Sequence, residues 1–201
     1  MLNNMYIFMY KIRMKNLLIT FTLLIFNYNV FAQTKHQVLI TYYSETNNTK
    51  TLAEAVAKGV LSVHGISLVI KRIEETTEQD LFNANAIIIG SPVYNANPAP
   101  EVLAFIKKWP FRNQVLKNKI GAVFVTGGGI SSGEELVQTS LLHSMMIFGM
   151  LVIGGNDWQS PFGASAITNE ESFKEPVQEI FLLKGQALGK RVAESVLRWN
   201  K

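Results

Sequence analysis

The densest run of side chains that could do chemistry is Tyr42-Tyr43-Ser44-Glu45-Thr46-Asn47-Asn48-Thr49-Lys50, directly after a short β-rich run from Val38 to Tyr42. Ser44, Thr46, Asn48 and Thr49 offer hydroxyl and amide donors. The loop's own N–H groups and the start of the following helix add positive dipole where an anion would sit. A phosphate needs many donors and little bulk, and this run supplies both. It is not a Walker loop, having neither the glycine spacing nor Gly-Lys-Ser/Thr, and it is not the Gly-x-Gly-x-x-Gly fingerprint. An ordinary Ser/Thr/Asn helix cap uses the same residue types, so both readings stand at this point.

Two further segments follow apolar runs in the same way. Gly90-Ser91-Pro92-Val93-Tyr94-Asn95-Ala96-Asn97-Pro98-Ala99-Pro100 is read as a loop that Pro92 stiffens. Tyr94 there presents an aromatic face with a polar tip, suited to a planar heterocycle or to capping a sheet edge. Thr126-Gly127-Gly128-Gly129-Ile130-Ser131-Ser132-Gly133 leaves backbone N–H groups open to close approach, with Ser131 or Ser132 expected to cap the next helix. No nucleophile–base pair and no carboxylate pair argues for hydrolysis, so no catalytic residue is assigned. His36, His64 and His143 are too scattered for a metal site, and His143 is read as a structural residue of a helix. The absence of cysteine excludes disulfides, thiolate zinc sites and a Cys nucleophile.

The elements that must position these segments alternate. Five strand-length apolar runs, Val38–Tyr42, Ile66–Ile70, Ala86–Ile89, Ile120–Val125 and Met150–Ile153, are separated by helical patterns at Thr49–Val63, Glu78–Phe82, Ala99–Trp109 and Gly133–Phe148. A last helix carries Phe181, Leu182, Ala187, Leu188, Val192 and Val196. Near-continuous apolar strands imply a sheet covered on both faces. Repeated β-then-α units without a repeat signature imply an α/β doubly wound parallel sheet. Ligands in such sheets bind beyond the carboxyl ends of the strands, where all three segments fall. Met145, Met146 and Met150 are expected to pack in the core. Trp158 either covers a ligand or supports a subunit contact.

The amino terminus has a different character. Lys11, Arg13 and Lys15 precede an apolar run from Asn16 to Phe26, and Val30-Phe31-Ala32 places small residues before Gln33. That is the layout of a signal peptide over residues 1–32, with Met14 as an alternative start and residues 33–201 as the mature domain. The expected location is therefore periplasmic or secreted, with an uncleaved membrane anchor as the alternative. The whole chain has a net charge of +4. Removing Lys11, Arg13 and Lys15 with the leader brings it to +1, which removes the argument for nucleic acid.

The Ser44-x-Thr46-x-x-Thr49 spacing after the first strand resembles the phosphate loop of flavodoxin-like proteins, with Asn47 where most members have Gly; Asn is the next residue to tolerate a left-handed backbone. Gly90-Ser91-Pro92-Val93-Tyr94 is similar to the segment that lies along the flavin ring in that superfamily. Gly127-Gly128-Gly129 with Glu134, Phe148-Gly149-Met150, and Ser160 to Ser165 resemble regions of the tetrameric NAD(P)H:quinone oxidoreductases and related FMN reductases. The resemblance spans about residues 37–195. It implies a five-stranded sheet in the order 2-1-3-4-5 with helices on both faces, and flavin mononucleotide (FMN) as cofactor. The implied contacts are Ser44, Glu45, Thr46, Asn47, Asn48 and Thr49 at the phosphate, then Ser91, Pro92, Val93, Tyr94 and Asn95 with Thr126, Gly127, Gly128 and Gly129 along the ring. Glu45 adds a negative charge whose side chain is free to point to solvent. NAD(P)H is the implied reductant, and a quinone-like molecule or a redox protein the implied acceptor. A homo-oligomer is the implied assembly. An electron carrier is a second function class, although such carriers are usually strongly acidic and this chain is not. A binding module that has lost its flavin is a third.

Overall fold

The computed structural model describes Met9 and residues 13–15, 36–169 and 177–199. It divides into a unit of residues 1–35 and a unit of residues 36–201. The expected leader and its expected Ala32/Gln33 junction lie outside the described residues, apart from Met9 and the helical residues 13–15.

Within the second unit the chain alternates as its periodicity demands. The order is β1 (His36–Tyr42), α1 (Asn48–Leu61), β2 (Ile66–Arg72), α2 (Glu78–Asn83), β3 (Ala86–Tyr94), β4 (Asn97–Pro98) and α3 (Pro100–Ile106). A 3₁₀ turn (Arg112–Gln114) then leads to β5 (Ile120–Gly127), α4 (Glu134–Ile147), β6 (Leu151–Val152), β7 (Ala164–Ile167) and α5 (Glu179–Trp199). The main sheet runs β2-β1-β3-β5-β6, all parallel. That is the 2-1-3-4-5 order of the five expected strands.

Two elements differ from the sequence reading. The fifth strand is only the two residues Leu151–Val152, because Gly154, Gly155 and Pro161 carry the chain out of the sheet in a loop closed by Gly155 N–H on the Ser160 carbonyl at 2.8 Å. The vacated edge of β5 is taken by β7, parallel to Phe124–Gly127. Part of the Ser160–Ser165 segment is therefore strand. The segment after the third strand also departs from expectation: β3 continues to Tyr94 and turns back antiparallel through β4. β3 tolerates Pro92 because β1 stops pairing at Gly90, so no neighbour on that side needs the missing N–H.

The core is two layers on a shared sheet. Val38, Ile40, Ile88 and Phe124 face α1 and α5, against Leu52, Val56, Leu188 and Val192. Leu39, Ile87, Ile89 and Val123 face the other way, against Leu81, Val102, Leu141 and Met145. This alternation along strands that are apolar throughout is what burial on both faces requires. α1 and α5 meet backbone to backbone. A Cβ on Gly189 would lie 2.0 Å from the Val56 carbonyl oxygen, so only glycine allows that approach. Met145 and Met150 are core residues as expected, whereas Met146 is 52% exposed because its position falls on the outer side of α4. His143 is exposed on the same helix.

α2 begins with a reciprocal cap. The Asp80 N–H donates to Thr77 Oγ1 at 3.2 Å, while the Thr77 N–H and hydroxyl donate to Asp80 Oδ2 at 2.8 and 2.7 Å. Lys71 Nζ adds bonds to both carboxylate oxygens at 2.9 and 2.8 Å. Burial alone would raise the Asp80 pKa, but the Lys71 and Thr77 hydrogen bonds outweigh it and the net shift is downward. A carboxyl depressed on folding stabilises above its unfolded pKa, about 3.9, and loses that contribution as pH falls through the folded value. Asp80→Asn is expected to cost about 1 kcal/mol at neutral pH. Denaturant midpoints measured down the acid range should converge for the two proteins; a gap that persists undiminished in acid would refute the ionised cap.

Candidate functional site

The carboxyl ends of β1, β3 and β5 bring the three segments together. Ser44, Asn48 and Thr49 are buried at the first turn of α1, and Asn47 opens that turn with φ of 67°, the left-handed conformation expected of it. Asn47 makes no side-chain cap. Ser44 Oγ accepts only the third helical amide, from Lys50, at 3.3 Å. The N–H groups of Asn47, Asn48 and Thr49 find no acceptor among the described residues. The ordinary-cap reading thus accounts for one amide and leaves three oriented donors open, the arrangement that receives an anion at a helix start. Thr46 Oγ1 accepts from Asn48 Nδ2 at 3.4 Å and completes the rim.

The glycine-rich segment is tied to this cradle by a buried bond no local pattern shows. Thr49 Oγ1 and Thr126 Oγ1 lie 2.8 Å apart across 77 residues of sequence. One hydroxyl donates to the other, and the acceptor's own proton stays free for a third group. Thr126 and Gly127 are the last residues of β5, so the loop proper starts at Gly128. Neither serine caps α4. Its N-cap is Gly133 at φ of 106°, because Ser132 Oγ is committed to the Gly129 carbonyl at 2.7 Å and Ser131 has turned to a φ of 59°.

Between the glycine loop and the β3–β4 hairpin lies a cleft of about 700 Å³, lined by Val93, Tyr94, Asn95, Asn97, Pro98, Pro100, Gly128, Gly129 and Ser132. That volume falls in the range of sites for small organic ligands. The hairpin turns on Asn95 and Ala96, both left-handed at 51° and 60°, a pairing typical of two-residue hairpin turns. Ser91 does not reach the cleft. It is wholly buried, with its Oγ donating to the Pro92 carbonyl at 2.7 Å and accepting the Ala99 N–H at 3.0 Å. It holds the hairpin's base. Glu45 is exposed, yet its carboxylate is not left to solvent: Oε2 accepts the Tyr94 hydroxyl at 2.9 Å, bridging the first segment to the second. Burial and this bond push the Tyr94 phenol's pKa up. A similar hollow, about 640 Å³ around Phe111, Arg112 and Ile147, lies by Lys117 and Gly149, ahead of β5 and β6 and away from these segments. Trp158 is exposed between β6 and β7.

One residue at the site was not singled out by sequence. Arg72 ends β2, in register with Tyr42, and its Nη1 donates to the Ser44 carbonyl at 2.9 Å. No local pattern marks it, because only the pairing register of the first two strands brings it to Ser44.

Residues 71–165 match the family model for NADPH-dependent FMN reductase. A flavodoxin from Aquifex aeolicus is 31% identical over 170 residues, which cover 80% of this chain and 86% of that protein. The chain belongs to the flavodoxin family. Solved structures agree in fold: an archaeal flavodoxin (22% identity, TM-score 0.64, 80% of this chain and 99% of that one) and a WrbA-like flavodoxin from Agrobacterium tumefaciens (19%, 0.66, 81% and 98%). FMN is the cofactor of this flavodoxin-family chain, and the open amides of the first segment together with the cleft beside Tyr94 fit it.

Proposed function

We propose that this chain is an FMN-dependent oxidoreductase that takes electrons from a reductant such as NAD(P)H and passes them to a quinone or similar small acceptor. The observation that carries the reading is a helix start with three open amides, linked through the Glu45–Tyr94 bond to a residue that lines an open cleft of about 700 Å³. Ser44, Thr46, Asn48 and Thr49 would hold the phosphate through hydroxyls, an amide and the helix N–H groups. Tyr94 and the backbone from Pro92 to Asn95 would flank one side of the ring, and Thr126 to Gly129 the other. Bound flavin supplies one-electron and hydride chemistry that no side chain here possesses. The protein contributes orientation and N–H donors fixed before any charge develops. Thr49 and Thr126 lock the two loops at a set spacing, and Ser91 pins the hairpin's base through the Pro92 carbonyl and the Ala99 N–H.

The test is a titration of the purified full chain with FMN, followed by NADPH oxidation with and without a quinone. Quenched flavin fluorescence and rapid quinone-dependent turnover are the expected results. Tight binding with negligible turnover would favour the second reading, an electron carrier docking to redox proteins, to which the flavodoxin relative lends support. Absence of quenching at high micromolar flavin would remove both. The signal-like leader supports a further part of the proposal, export with cleavage after Ala32; amino-terminal sequencing of the protein from fractionated cells should begin at Gln33.

A further inference from the structure

We propose that Arg72 is the positioning residue of the phosphate cradle and makes the site select a phosphate ester over an uncharged flavin. The inference rests on the FMN reading above and goes beyond it to a residue outside the three loops.

The guanidinium is used on every edge. Nη1 donates to the Ser44 carbonyl at 2.9 Å, Nε and Nη2 face the two Glu74 carboxylate oxygens at 3.3 and 3.4 Å, and Cζ lies 5.9 Å from the Tyr43 ring centroid. Glu74 and Tyr43 thus fix the orientation of the fork, and the fork fixes Ser44. A trans peptide places its C=O and N–H on opposite sides, so holding the Ser44 carbonyl on the guanidinium sets the direction of the next N–H, that of Glu45. Ser44 Oγ separately accepts from Lys50 and ties the same residue to the start of α1. The loop is thereby fixed ahead of the open amides of Asn47, Asn48 and Thr49, without help from an Asn47 cap. The neighbouring Glu45 carboxylate is held on Tyr94, leaving the Arg72 cation bonded directly to the loop backbone. Lysine would keep the charge but cannot serve Ser44 and Glu74 together with a planar fork.

The experiment compares FMN with riboflavin, which lacks the phosphate, on the full chain and its Arg72→Ala and Arg72→Lys variants. Arg72→Ala is expected to weaken FMN binding about tenfold or more, and riboflavin binding less than about twofold. Arg72→Lys should lose several-fold for FMN, because charge without the fork does not hold the carbonyl. Should Arg72→Ala not fold, Arg72→Lys carries the test, since it keeps the positive charge and a long aliphatic stem. Equal losses for both flavins would show a general structural role and overturn the proposal, as would an Arg72→Lys protein with wild-type FMN affinity. Failure of the wild-type chain to bind FMN would instead overturn the cofactor reading on which the proposal stands.

Discussion

Asn48→Asp is expected to abolish useful FMN binding while leaving the unliganded protein as stable as before. The side chain is nearly isosteric and sits in the first turn of α1, where a carboxylate gains from the helix dipole by about 0.3–1 kcal/mol. The same charge lies where the phosphate must go. Like charges about 5 Å apart at a protein surface repel by about 3 kcal/mol, which is more than a hundredfold in affinity. Fluorescence titration of FMN and riboflavin checks the first half, and thermal unfolding without flavin the second. An Asn48→Asp protein that binds FMN as tightly as wild type would refute the placement of the phosphate at this helix start. A loss of affinity without a loss of stability separates a binding residue from a folding one.

The largest expected loss of stability is at Phe124. Its ring is fully buried on β5, under α1 and α5, and occupies the space beside Gly90 of β3, where a Cβ would lie 2.2 Å from its Cζ. Phe124→Ala removes that ring from the centre of the sheet and leaves a cavity that backbone-paired strands cannot close. The expected cost is about 3–5 kcal/mol, a large part of the roughly 5–15 kcal/mol by which domains are stable. Denaturant unfolding should show a lower midpoint with an unchanged slope. A loss below about 1 kcal/mol would mean the strands had collapsed into the space. Gly90→Ala should be damaging for the converse reason, since the added methyl and the ring compete for one volume. Gly90, read from sequence as the start of a ligand segment, is thus also required by the core.

Most of the fold was legible because the strands are apolar on both faces and the helices keep a 3.6-residue rhythm. Those signals are local, and they implied a doubly wound parallel sheet, whose 2-1-3-4-5 order came from the resemblance of the loops. They did not reveal the split of the fifth strand. Met150 to Ile153 reads as a strand, but only Leu151 and Val152 pair with β5 before Gly154 and Gly155 lead away, and β7 competes for the remaining edge. Strand pairing is a contest between distant segments, which a local pattern cannot score. Likewise Ser91 and Tyr94 look alike as polar residues in a presumed loop, yet one is buried in the hairpin's base and the other lines the cleft.

By itself, the sequence determined the α/β alternation and the three segments at the carboxyl ends of their strands, since each follows from residue type and near-neighbour spacing, while the left-handed Asn47 was implied by the resemblance of its loop. Only the tertiary structure decided how those segments act together: the Thr49–Thr126 bond, the Glu45–Tyr94 bridge and Arg72 beneath Ser44. Each joins residues brought together by strand order and register, and a hydrogen bond depends on ångström placement in space rather than on separation along the chain.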